Sequence, residues 1–120
     1  MAAYPFISPK MRITKGITNT STLICGDSTN VSVLSSIFLS NVSSNAILVT
    51  LLIAREETIG VETYFTFYHQ KLIEVNSTVD ILQGSPLILL PGDLLYANSD
   101  SSVSIFETFV SYNSLIEFGG

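Results

Sequence analysis

Ile81-Leu-Gln-Gly-Ser-Pro-Leu-Ile-Leu-Leu-Pro-Gly-Asp-Leu-Leu-Tyr-Ala-Asn98 is the stretch whose reading decides the fold. Its two apolar runs, Leu87 to Leu90 and Leu94 to Ala97, are each too short for a helix. Between them stands Pro91-Gly92-Asp93, where proline presets φ and glycine accepts a positive φ. The pattern predicts strand, tight turn, strand. Pro86 removes a backbone donor and Gly84 weakens a ladder, so the incoming strand must end near Gln83. Leucine pairs on both sides of the turn give each short strand apolar groups on both faces. Such strands belong at the closed end of a sandwich, where the chain passes from one sheet to the other.

The rest of the chain agrees with an all-β reading. Val31 to Ser40 alternates, with Val31, Val33, Ile37 and Leu39 on one face and Ser32, Ser36, Ser40, Leu34 and Phe38 on the other. After the polar turn Asn41 to Asn45 comes Ala46 to Ala54. Here Ile47, Val49, Leu51 and Ile53 share a face, and Leu48 and Leu52 make the second nearly as apolar, the mark of a central strand. Arg55 to Gly60 reads as an exposed hairpin connection. Val61 to His69 puts Phe65 and Phe67 on one face, toward the core, and Tyr64 and Tyr68 in a stripe on the other. Val79 to Leu82 leads into the central stretch. Val103 to Tyr112 alternates again and breaks at Asn113-Ser114 before Leu115 to Phe118. Thr20 to Cys25 supplies another strand, closed by Gly26-Asp27-Ser28. With about eight strands and turn signals every ~8–12 residues, the chain reads as an antiparallel β-sandwich, jelly-roll-like. Residues 1–18 form an extended N-terminal arm, with Pro5 and Pro9 around Tyr4, Phe6 and Ile7 and a short strand over Met11 to Thr14; residues 19–120 form the sandwich. The arm is expected to dock, on its own sandwich or on an adjoining subunit.

Composition narrows the function. The 120 residues are 47 % hydrophobic but only 12 % charged, where an average globular protein carries roughly 25 %. Size scaling gives on the order of 6,000 Å² of folded surface, which so few charges do not cover. The spare apolar surface points to burial against neighbouring subunits. A net charge of −5 argues against general nucleic-acid binding, since phosphates need a basic surface. Lys10, Arg12 and Lys15 cluster in the arm, against ten acids in the whole chain, so the arm suits an acidic neighbour such as another copy of the chain. The start lacks the basic and apolar regions of a secretory leader. Ala46 to Ala54, the longest apolar run, is less than half the length that spans a bilayer, so no membrane partner is expected.

Catalytic signals are missing. His69 is the single histidine, too few for an imidazole-built zinc or iron site. No Gly-x-Ser-x-Gly elbow exists. Glu56, Glu57 and Glu62 are loop neighbours and not a pair facing across a cleft. Asp93 and Asp100 read as turn carboxylates capping local amides. Cys25 is alone, so there is no internal disulfide, and it reads as a small buried hydrophobe. No cofactor or metal is expected. Sequons begin at Asn19, Asn30, Asn41 and Asn76 and read as chance in an Asn/Ser/Thr-rich chain. Tyr64, Tyr68, Tyr96 and Tyr112 suit a protein interface, with a sugar platform as the alternative. The predicted interface residues are Tyr4, Phe6, Lys10, Arg12, Lys15, Tyr64 and Tyr68.

Taken in order, Thr22-Leu23-Ile24, then Ser36-Ile37-Phe38-Leu39-Ser40-Asn41-Val42-Ser43-Ser44, an apolar strand, an aromatic strand, Leu87 to Leu95 and Val110-Ser111-Tyr112 resemble small virion proteins of tailed bacteriophages. The resemblance covers Thr20 to Phe118 and rests on turn and strand patterns. It implies a non-enzymatic β-sandwich in the virion: a capsid cement or decoration subunit, or else a neck, tail-fibre or baseplate component. Its partners would be other copies of itself, commonly as a homotrimer, and the major capsid protein or another virion protein. The long basic arm departs from that pattern.

Overall fold

The structure is a computed structural model; it describes residues 5–100, 102 and 105–117, with side chains over 9–100, 102 and 105–115. Among the described residues there are nine strands and no helix: β1 (Pro5–Ile17), β2 (Thr22–Gly26), β3 (Val31–Asn41), β4 (Ile47–Thr58), β5 (Val61–Ile73), β6 (Thr78–Asp80), β7 (Leu87–Leu89), β8 (Leu94–Ser99) and β9 (Phe106–Glu117). They form two antiparallel sheets. One has the order β1-β9-β3-β6, with β7 also paired to β3; the other has the order β2-β8-β4-β5. The count exceeds the expected eight because the segment read as an arm contributes a full strand: Pro5–Ile17 runs antiparallel along β9 from Pro5↔Glu117 to Ile17↔Phe106. Its prolines are tolerated on a sheet edge, where a missing donor need not break the ladder. β9 runs through Asn113 and Ser114 without the expected break, since both lie between partners on β1 and β3.

The decisive stretch does carry the chain between sheets. β7 pairs with β3 in the first sheet and β8 with β2 and β4 in the second. Gly92 takes φ 89° in the connecting turn, and its N–H donates to Asp27 O at 2.8 Å while Asp93 N–H donates to Leu90 O at 3.0 Å. Asp93 caps the turn as expected, its Oδ2 accepting Leu90 N–H at 2.9 Å. The same carboxylate takes a fork from Arg55, Nε to Oδ1 at 2.8 Å and Nη2 to Oδ2 at 2.6 Å. Arg55, expected in an exposed loop, therefore belongs to β4 and clasps the crossover turn. Gly26 lies so near that an added Cβ would meet Asp93 O and Leu94 Cδ2, each at 2.8 Å; only glycine fits between β2 and the turn.

The core lies between the sheets and includes Phe106, Ile24, Leu34, Ile37, Leu51 and Leu95, all fully buried. β4 meets expectation: Ile47, Val49, Leu51 and Ile53 face inward, and the strand is central, between β8 and β5. β3 departs from it. Its inward residues are Ser32 and Leu34, then Ile37, Leu39 and Asn41, because a register shift between Leu34 and Ser36 changes the phase at Ser35. The Oγ atoms of Ser32 and Ser114, which oppose each other, and Oγ1 of Thr108 are buried with no hydrogen-bond partner among the described residues.

Candidate association surfaces

β5 is the outer strand of the second sheet, and nearly all of it is exposed. Expected to present Phe65 and Phe67 to the core, it leaves them 40 % and 37 % exposed. The tyrosine stripe is broken as well. Thr66 opposes Leu52 but Tyr68 opposes Leu51, so Phe67 is an extra residue and the strand changes phase there. A second irregularity follows, where Gln70 takes φ 44° and its N–H donates to Thr50 Oγ1 at 3.1 Å. Tyr64 consequently lies on the outer face of the sheet, whereas Tyr68 packs against the core and is half-buried. Burial holds the Tyr68 phenol above its ordinary pKa.

On that outer face, Tyr64, Tyr96, Leu52 and Ser21 line a shallow cleft of about 340 Å³. Tyr64 donates to Glu62 Oε2 at 3.3 Å, and the charge of that carboxylate, with the hydrogen bond, raises the phenol's pKa. The β4–β5 hairpin continues past the sandwich to a tight turn at Ile59-Gly60, with Thr58 opposite Val61 and Glu56 opposite Glu62. Ile59 at its tip is 95 % exposed. Arg55 sits over the Phe65 ring, 5.9 Å from the centroid.

The outer face of the first sheet was not legible as a site. Ile13, Phe109 and Phe38 are register partners across β1, β9 and β3 and form an apolar row. Ile13 is 52 % exposed, Phe38 38 % and neighbouring Met11 62 %. The signal was present as the alternation of Met11 and Ile13, read as a short strand without a face assigned. Lys10, Arg12 and Lys15 do lie together, along β1; Lys10 and Arg12 have the phase of the inward-facing Tyr112 and Val110, opposite to Met11 and Ile13. Tyr4 lies outside the described residues, and of Phe6 only the backbone is described, opposite Ile116. The structure thus gathers the three basic residues on one edge and places Tyr64 and Tyr68 at the other, on opposite faces of their strand.

Among the described residues no three His, Cys, Asp or Glu side chains converge as a metal site. Cys25 is buried, which raises its thiol pKa against the opposing pull of Arg12. His69 is exposed on β5. Asn41 is 2 % exposed; its Nδ2 donates to Asn45 O at 2.8 Å and Ile73 O at 3.1 Å, and its Oδ1 accepts Ser43 N–H at 2.9 Å. A sequon asparagine so enclosed is no glycan acceptor in the folded chain.

No protein-family model matches the sequence, and no curated protein matches it. Among solved structures, the chain is similar in fold to a protein of Bacillus endospore appendages, which form disulfide-linked pili. The TM-score is 0.57 at 12 % identity, covering 94 % of this chain and 91 % of that one.

Proposed function

We propose that the chain is a non-enzymatic structural subunit that acts outside the cell by associating with copies of itself. The observation that carries this reading is exposed apolar surface on both sheets, the Met11, Ile13 and Phe38 face and the Tyr64, Phe65, Phe67 and Leu72 strand, on a chain with few charges to keep it wet. Covering these faces is favoured by about 25 cal/mol per Å² of apolar surface, and the entropy of association opposes it. The fold likeness to a pilus protein supports a β-sandwich of the kind used as a building block. The strand orders support a jelly-roll, since the chain changes sheet at every connection except β4–β5 and β6–β7.

Within this reading the phage resemblance favours a virion: a cement or decoration subunit on a capsid, with trimers as the unit and the major capsid protein beneath, or else a neck, tail-fibre or baseplate part. Sedimentation velocity between micromolar and millimolar concentrations tests the core of the proposal. Concentration-dependent assembly is expected, and a monomer throughout overturns it. A second reading, a carbohydrate-binding module, is favoured by the cleft that Tyr64 and Tyr96 share. A monomer retained on a polysaccharide column establishes that reading instead.

A further inference from the structure

We infer that the contact between copies is heterologous: strand β1 of one copy lies along strand β5 of the next. This rests on the self-association reading and adds its geometry. β1 and β5 are outer strands of different sheets. β1 touches β2 and β8 across the sandwich while β5 touches β3, so the two strands occupy opposite sides of the molecule. Each is 13 residues long. Edges of that length with no partner among the described residues invite another strand unless they are blunted; β5 has irregularities at Phe67 and Gln70 and one lysine, Lys71, but no proline, and Val61, Tyr64, Phe65 and Leu72 are each at least 40 % exposed.

Charge selects the occupant. In the hairpin leading into β5, Glu56 and Glu62 are direct cross-strand partners, an arrangement that like charge destabilises, and Glu57 is exposed beside them. Arg55, the nearest cation, is committed to Asp93. On the opposite edge, Lys10, Arg12 and Lys15 lie on one strand with no ion pair among the described residues. Of the three basic residues Lys10 lies nearest the hairpin's end of the sandwich, Arg12 is mid-strand, and Lys15 lies toward the other end, by Ile17. Gly26 and Ala54 both oppose Leu94, and Ala54 opposes Tyr64, while Lys10 opposes Tyr112, which lies within the electrostatic reach of Asp27. Copies set side by side, pointing the same way and staggered along the strands, bring Lys10 and Arg12 against the carboxylates of the neighbour's hairpin. Because the two surfaces differ, the contact repeats and produces a ring or an open filament.

Charge reversal tests this. Glu57→Lys with Glu62→Lys reverses the hairpin, and Lys10→Glu with Arg12→Glu reverses β1; circular dichroism confirms that each variant is folded. Each alone is expected to raise the self-association Kd at least tenfold, and mixing the two in equal amounts restores assembly. The hairpin variant alters only exposed side chains, so it reads out even if the half-buried Arg12 substitution prevents folding. In the wild type, raising salt from ~0.05 to ~0.5 M weakens the contact. Reversed variants that assemble as the wild type does, with no salt effect, overturn this geometry while self-association stands; a wild type that stays monomeric removes both.

Discussion

Asp93 shows how one side chain closes the fold. The carboxylate is 2 % exposed, within a turn that moves the chain between sheets, and it is held ionised by three hydrogen bonds, two from Arg55 and one from Leu90 N–H. The Arg55 hydrogen bonds are the largest influence lowering its pKa; burial opposes them, and the Leu90 amide adds to the lowering. Asp27 is lowered too, first by the Thr29 amide. A carboxyl whose folded pKa is depressed stabilises the fold above the unfolded value, about 3.9, and that contribution is lost as pH falls through the folded pKa. Unfolding in urea should therefore require less denaturant below about pH 4 than at neutrality. Asp93→Ala is expected to cost about 2 kcal/mol at neutral pH and to flatten this acid slope, leaving the part due to Asp27. An Asp93→Ala variant with an unchanged midpoint and slope would show that Arg55 and the turn amide are equally well satisfied by water.

At the scale of elements, what the sequence disclosed depended on whether a strand kept its phase. β4 alternates without interruption through Ile53, and its inward set Ile47, Val49, Leu51 and Ile53 follows directly from period two. β3 and β5 do not keep phase. The slip at Ser35 and the extra residues at Phe67 and Gln70 are fixed by partner strands, and nothing in the strand's own residues announces them. That is why period two places Tyr64 and Tyr68 in one stripe and the structure does not. Prolines made β1 look like an arm, because an edge strand and an extended tail share the same local preferences; pairing with β9 distinguishes them. Loops hid a second feature. Asn41, read as turn material, ties the β3–β4 loop to the end of β5 through Ile73 O. Asn41→Ala strands a buried carbonyl and the Ser43 amide, at an expected cost of about 2 kcal/mol. Hydrogen exchange should show the loss first at the amides of 43–47 and 73, and a uniform change across the sandwich would mean that the loop is not held locally.

For the whole molecule, shape and the lone cysteine argue together. The radius of gyration is 15.5 Å over extents of 56 × 31 × 21 Å, where about 13.6 Å describes a compact chain of this length. The β4–β5 hairpin runs on past Ala54, where the pairing of β4 with β8 ends. The pilus proteins of similar fold are disulfide-linked; this chain has a single cysteine, 1 % exposed in the core cluster. A thiol there meets neither oxidant nor partner, and its raised pKa keeps it protonated and unreactive at neutral pH. Assemblies of this chain are therefore expected to be non-covalent. Dithiothreitol should leave their sedimentation unchanged, non-reducing gels should show only the monomer band, and Cys25→Ala should assemble as the wild type does. A dimer band that vanishes on reduction would mean that β2 opens during assembly, and that the buried position of Cys25 belongs to the isolated subunit alone.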